Sequence, residues 1–231
     1  MKTAILIFGG YLIFSWVVVG PGAGESQDQK AILATKTKHA IDLNDSPSDA
    51  LAKILWQTGV PGGVIQIEKC SAQTKIHLRI PEGTSIGTTL QELVKFSPDY
   101  KWEVHRGVVD LLPASGVPDL LKARVANYDS DSAVNKFAPS AVLNEMLTLP
   151  NIQARAAQLK LKPGVQSGGP GVACDTDCKQ QQTPGVRVKI KDASLLEAFN
   201  STVASYGQTI WTYAETECNG KRTYIISAQP D

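Results

Sequence analysis

The stretch Ile76-His77-Leu78-Arg79-Ile80 reads as a half-buried strand, because its apolar residues alternate strictly with His77 and Arg79. Laid over Val186-Arg187-Val188-Lys189-Ile190, the alternation coincides position by position. After a one-residue gap, Leu195 falls on Ile86, Phe199 on Leu90, Val203 on Val94 and Trp211 on Trp102. That register predicts two copies of one small module, each running from a strand into an amphipathic helix and then into an aromatic-bearing hairpin. The fold class expected is α+β, with two tandem βαββαββ-type modules and small mixed sheets packed on helices.

Outward from that strand, residues 39–113 predict the first module. A short strand at Ala40-Ile41-Asp42-Leu43 precedes Ser46-Pro47-Ser48-Asp49, where Ser46 can cap a helix, Pro47 suits its first turn and Asp49 can reach back to the cap. Leu51, Ile54 and Leu55 recur at helical spacing, and Gly59 is placed to end the helix. Pro61-Gly62-Gly63 reads as a turn into the strand Val64-Ile65-Gln66-Ile67. A phosphate-binding loop would follow a strand and open a helix, the reverse of this order. The second helix is expected from Ser85 to Phe96, and the closing strands Lys101–Val104 and Val108–Leu112 pair across Arg106-Gly107.

Residues 114–120 read as a linker, and 121–231 as the second module. There Leu121 to Tyr128 is the expected opening strand, and one helix is expected to be interrupted at Pro150. The span 163–184 is polar and Gly-rich and reads as a surface-loop insertion. Ser194 and Glu197 form a capping-box pair, Gly207 is placed as a C-terminal cap, and Asn219-Gly220 signals a reversal. Trp102 and Trp211 suit the packed face of a sheet better than a ligand platform.

The chain begins with Lys2, an uncharged apolar run from Ala4 to Gly20, and the small residues Pro21-Gly22-Ala23-Gly24. That order predicts a secretory signal over residues 1–24, cleaved between Gly24 and Glu25, with an uncleaved anchor helix as the alternative. Residues 25–38 then become a flexible tail. Removing residues 1–24 takes away Lys2 and no acid, leaving 22 basic and 22 acidic residues. Neutrality argues against nucleic acid or an anionic membrane surface as the main partner, and no membrane span is expected after cleavage.

Four cysteines, Cys70, Cys174, Cys178 and Cys218, predict two disulfides in an exported chain, in any of three pairings. For Cys218 the Cys174–Cys178 loop is the nearest partner in chain order. Metal binding by Cys174 and Cys178 is the weaker alternative, since their spacing is not a common zinc pattern. The three histidines, His39, His77 and His105, form no nucleophile-elbow or metal-helix pattern, so no catalytic residue, metal or cofactor is expected.

The Ser48–Thr58 helix with its following strand, the Ile76–Ile80 strand leading to Leu90, Leu93 and Val94, and the Trp102–Leu112 hairpin resemble the short N-terminal domain of secretins and TonB-dependent receptors. The likeness covers both halves, best over Ala40–Pro113 and Val186–Ala228. It implies a βαββαββ module in the periplasm that makes protein contacts ahead of a membrane barrel or pore. No barrel-length run of strands follows in this sequence, so a free-standing pair of modules is expected, with an envelope or secreted protein as partner. Small-ligand sensing in a cleft between modules, lined by Trp102 or Trp211, is the alternative; a secreted enzyme is a weaker one.

Overall fold

The computed structural model describes residues 23–70, 75–130, 139–164 and 187–229. The chain is α+β. Its first helix, α1 (Ala23–Ala34), spans the Gly24-Glu25 junction where cleavage is expected. The expected flexible tail is thus largely helical. Leu33 packs beside Gly87, and Lys36 bridges to Ser85, so this segment is docked onto the first half.

The first half continues as β1 (Ile41–Asp45), α2 (Pro47–Thr58), β2 (Gly62–Lys69), β3 (Ile76–Ile80), α3 (Ile86–Phe96), β4 (Tyr100–His105) and β5 (Val108–Pro113). The second half runs β6 (Arg124–Asp129), α4 (Pro139–Leu147), α5 (Pro150–Gln158), β7 (Leu161–Pro163), β8 (Lys189–Ser194), α6 (Leu195–Tyr206), β9 (Ile210–Cys218) and β10 (Lys221–Gln229). The helix expected to break at Pro150 does so, because Pro150 starts α5 where its missing N–H costs nothing.

Local signals act where the sequence places them. Ser46 Oγ accepts from Asp49 N, and Gly59 ends α2 at φ 69°. Ser194 and Glu197 make a complete capping box. Arg106-Gly107 and Asn219-Gly220 all take positive φ, which gives the two hairpin turns the twist their strands need.

The two halves have the same pairing pattern. β1 pairs antiparallel with β3, and β6 with β8. β2 pairs parallel with β5, and β7 with β10, while β4–β5 and β9–β10 are antiparallel hairpins. The halves do not keep separate central sheets, as two small modules would. β2 lies parallel to β9 over eight residue pairs, Gly62↔Ile210 to Lys69↔Glu217, and fuses them into one six-stranded sheet of order β4-β5-β2-β9-β10-β7.

Each half covers one face of that sheet. Val64, Val109, Leu111 and Ile210 pack with Leu51, Ile54 and Leu90 of the first half. Ile65, Val108, Leu112, Trp211 and Tyr213 pack with Leu143, Ile152 and Phe199 of the second. A strand buried on both faces reads as an apolar run. β5 is such a strand, buried at all six positions. The segment expected as a linker joins this packing: Leu120, its last residue, is fully buried in the second-half core, as is the adjoining Leu121.

Gly62 and Gly63, expected in a turn, open β2. A Cβ at Gly62 would run into Leu55 Cδ1, and one at Gly63 into Asp110 Oδ1 and the Trp211 ring. Glycine lets α2 and the side chains of β5 and β9 close on the β2 backbone.

Candidate functional site

Two groups of residues stand out: a buried polar cluster at the joint between the halves, and an open cleft at the end of the sheet. In the first, Trp211 Nε1 donates to Asn200 Oδ1 at 2.7 Å, and Asn200 Nδ2 donates to Asp110 Oδ2 at 2.5 Å. Asp110 comes from β5, while Asn200 and Trp211 come from α6 and β9. Burial pushes the Asp110 carboxyl up to about 8, against the lowering effect of Asn200, and Glu103 adds to the rise. A carboxyl kept neutral needs one fewer compensating charge in a low-dielectric site. The cluster is enclosed, and it ties β5 of the first half to α6 and β9 of the second. Beside it, Tyr213 donates to Glu215 Oε1 at 2.6 Å, and Arg222 reaches Glu215 Oε2 at 3.1 Å.

The cleft encloses about 660 Å³. Its walls are the start of α2 at Ser46–Ser48, the end of β2 at Ile67–Lys69, the start of β3 at Ile76, the segment Phe96–Tyr100 and the exit from β5 at Pro113–Ser115. It exists because β2 and β5 stop at different heights. β2 pairs with β5 only from Gly62 to Val64 but with β9 as far as Lys69. Ile67 and Phe96 are 46% and 56% exposed, large apolar groups left in water at its edge. The Ser97 hydroxyl, in the wall, is buried with no hydrogen-bond partner among the described residues. Burial raises the Tyr100 hydroxyl pKa, and Glu68 and Asp99 raise it further, so negative potential gathers there.

Of the expected site residues, Cys70 and Cys218 are brought together as a disulfide with Cα atoms 5.2 Å apart. The partner of Cys218 is therefore in the other half, and the bridge lies one position beyond the Lys69↔Glu217 pair that ends β2–β9 pairing. Cys174, Cys178 and most of the 163–184 insertion lie outside the described residues, as do residues 1–22 of the expected signal. His77 is exposed on β3, 3.9 Å from Asp42, whereas His105 ends β4 in a different sheet. No three His, Cys, Asp or Glu side chains gather as a metal site among the described residues. Trp211 is fully buried in the core, and Trp102 is half-buried; neither lines the cleft. No described helix is long and apolar enough to cross a membrane.

Comparison with family models, curated proteins and solved structures yields no match for this chain.

The cleft escapes sequence reading because it is a difference in strand length. With Val64–Ile67 taken as the strand, β2 matches β5 and no gap opens. The available signal was Glu68, which carries the alternation of Ile65, Gln66 and Ile67 one residue further.

Proposed function

We propose that this chain is an exported, non-catalytic contact module that binds a protein partner in the periplasm or cell envelope. The observation that carries the reading is the β2–β9 joint. This fold makes its own principal interface by laying one strand edge against another, and the ribbons β1–β3 and β6–β8 each keep two open edges in the described residues. Strand addition is a general mode of protein recognition, in which backbone hydrogen bonds supply affinity and flanking pockets supply selectivity. The strand–helix–strand–strand–helix–strand–strand order of residues 41–113 supports the likeness to the secretin and TonB-receptor N-terminal domain, and with it a duplicated contact module. The Cys70–Cys218 bridge and the apolar start of the chain support export.

Crosslinking in intact cells tests the reading. Recovery of one specific envelope protein is the expected result; repeated recovery of the chain alone would count against it.

A further inference from the structure

β4 forms one end of the six-stranded sheet, and no described strand pairs with its outer edge. Which backbone groups that edge offers follows from its hairpin with β5. In a two-residue hairpin turn the carbonyl before the turn accepts from the N–H after it, so Arg106-Gly107 makes His105↔Val108 a hydrogen-bonded pair. Bonded pairs alternate along an antiparallel ladder. Lys101, Glu103 and His105 therefore turn their N–H and C=O groups toward β5, and Trp102 and Val104 turn theirs outward. Val109, opposite Val104, agrees with this phase, because its N–H donates to the Pro61 carbonyl on the β2 side at 3.1 Å. The Tyr100 C=O also faces out, while its N–H donates to the Ser97 carbonyl at 3.0 Å.

The side chains divide by the period of two. Tyr100, Trp102 and Val104 lie on the face of the first-half core and are only partly buried there. Lys101 and Glu103 stand on the opposite face, 48% and 54% exposed along their side chains, and pair with each other at 2.7 Å. α1 approaches the hairpin at its turn, where Ile32 lies beside Gly107.

We infer that β4 pairs antiparallel with β4 of a second copy of this chain, about a two-fold axis through Trp102, joining the two sheets edge to edge. In that register Trp102 N–H donates to the Trp102 carbonyl of the second copy and Val104 N–H to its Tyr100 carbonyl, each twice by symmetry. The two Trp102 rings become cross-strand neighbours and cover aromatic surface that one copy leaves half exposed. Lys101 of each copy meets Glu103 of the other in a non-bonded pair, where side chains come closest.

The charges select this register. Outward-facing residues bond only each other, so the neighbouring registers place the axis on Lys101 or on Glu103. An axis on Glu103 sets that carboxylate against itself; one on Lys101 does the same to the ammonium and brings Glu103 onto Asp99 of the other copy. Charge on an edge strand commonly keeps it from pairing. Here it disfavours the shifted registers and favours one. The inference is independent of the contact-module reading, and it leaves the edges of the β1–β3 and β6–β8 ribbons free for a partner.

The test is sedimentation velocity on the full disulfide-bonded chain from about 5 to about 500 μM, a range suited to one small strand-edge contact. The parent should shift from monomer to dimer. Lys101→Glu and Glu103→Lys, both at exposed positions, should each weaken association about tenfold, since two opposite-charge pairs become like-charge pairs. An equimolar mixture of the two variants should associate as well as the parent, because the acidic edge of one then faces the basic edge of the other. That rescue belongs to pairing between copies, for the intrachain Lys101–Glu103 bridge stays broken in both variants. Amide exchange in the parent needs no substitution: Trp102 and Val104 should exchange at least fivefold more slowly at high concentration than in dilute solution, with Glu103, already bonded to β5, as the reference.

A chain monomeric throughout, single variants that associate like the parent, a mixture that stays monomeric, or protection that arises elsewhere would each overturn the proposal. A different protein crosslinked along β4 would give this edge another occupant and overturn it too, leaving the contact-module reading standing. Failure to recover any partner in cells removes that reading and does not touch the dimer.

Discussion

The Asp110 carboxyl on β5 accepts a 2.5 Å hydrogen bond from Asn200 on α6, so a strand of the first half is tied to a helix of the second in a site from which water is excluded. The Asn200 amide cannot turn over, because its oxygen already accepts from the Trp211 indole. With the carboxyl raised to about 8 by burial, the folded chain holds a proton here that the unfolded chain releases near 3.8. The sign follows. The contribution is complete below about pH 4 and is lost as pH rises toward about 8, by at most about 1.4 kcal/mol per pH unit. Urea unfolding from pH 4 to 9 should show that decline, and Asp110→Asn, which keeps the shape and removes the titration, should flatten it. An Asn variant with the original slope would assign the effect to another group.

Gly63 faces the same cluster, and its lack of a side chain is what allows β9 and β5 to close on β2. Gly63→Ala places a methyl into Asp110 Oδ1 and the Trp211 ring; the carboxyl is held through Oδ2 by Asn200 and the indole through Nε1, so neither has much room to retreat. Overpacking of this kind costs about 1 to 3 kcal/mol. A denaturant midpoint equal to that of the parent chain would show that the joint yields more easily than its contacts suggest.

Cys70 and Cys218 close a covalent loop of sequence separation 148 across the two halves. Long loops gain most from a crosslink in the chain-entropy account, so Cys70→Ser with Cys218→Ser should cost about 2 to 5 kcal/mol, and reductant should reproduce much of that loss in the parent. Peptide mapping without reduction should recover Cys70 joined to Cys218. Four free thiols, or a double variant of unchanged stability, would contradict the bridge as a staple.

Much of the local structure was legible because single residues decide it. Ser46, Gly59, Ser194 with Glu197 and Asn219-Gly220 each act within a turn or two of chain, where capping and φ preferences dominate. The apolar run of β5 was legible as a strand, but not its meaning. Burial on both faces requires a cover for Val108 and Leu112 that the first half does not supply, and that cover comes from residues such as Phe199, far along the chain. Gly62-Gly63 misled for the related reason that close approach and turning draw on the same residue type. α1 carries no amphipathic stripe strong enough to announce itself, and it is held by what Leu33 meets on α3. The joint and the cleft both depend on which strands become neighbours and where each one ends, information that no local pattern contains.

Glu215 supplies a last case in which magnitude decides between effects. The residue is 7% exposed on β9, and its two oxygens are bonded by Tyr213 and by Arg222 of β10. Arg222 also donates to the Leu159 carbonyl at 2.9 Å, which ties the end of α5 to the sheet. Removing one member of a buried pair leaves an uncompensated charge, and this commonly costs more than the intact pair contributes. Arg222 is itself about 39% exposed along its side chain, so solvent moderates the penalty. Arg222→Met, which keeps the packing stem, should therefore lower stability by about 1 to 3 kcal/mol. Adding Glu215→Gln should restore a good part of it, because the amide still accepts from Tyr213 and no longer carries charge. The double-mutant cycle in urea separates the two contributions. If Arg222→Met costs as much with Gln at 215 as with Glu, the arginine acts through the Leu159 carbonyl and its own packing, and the ion pair contributes nothing.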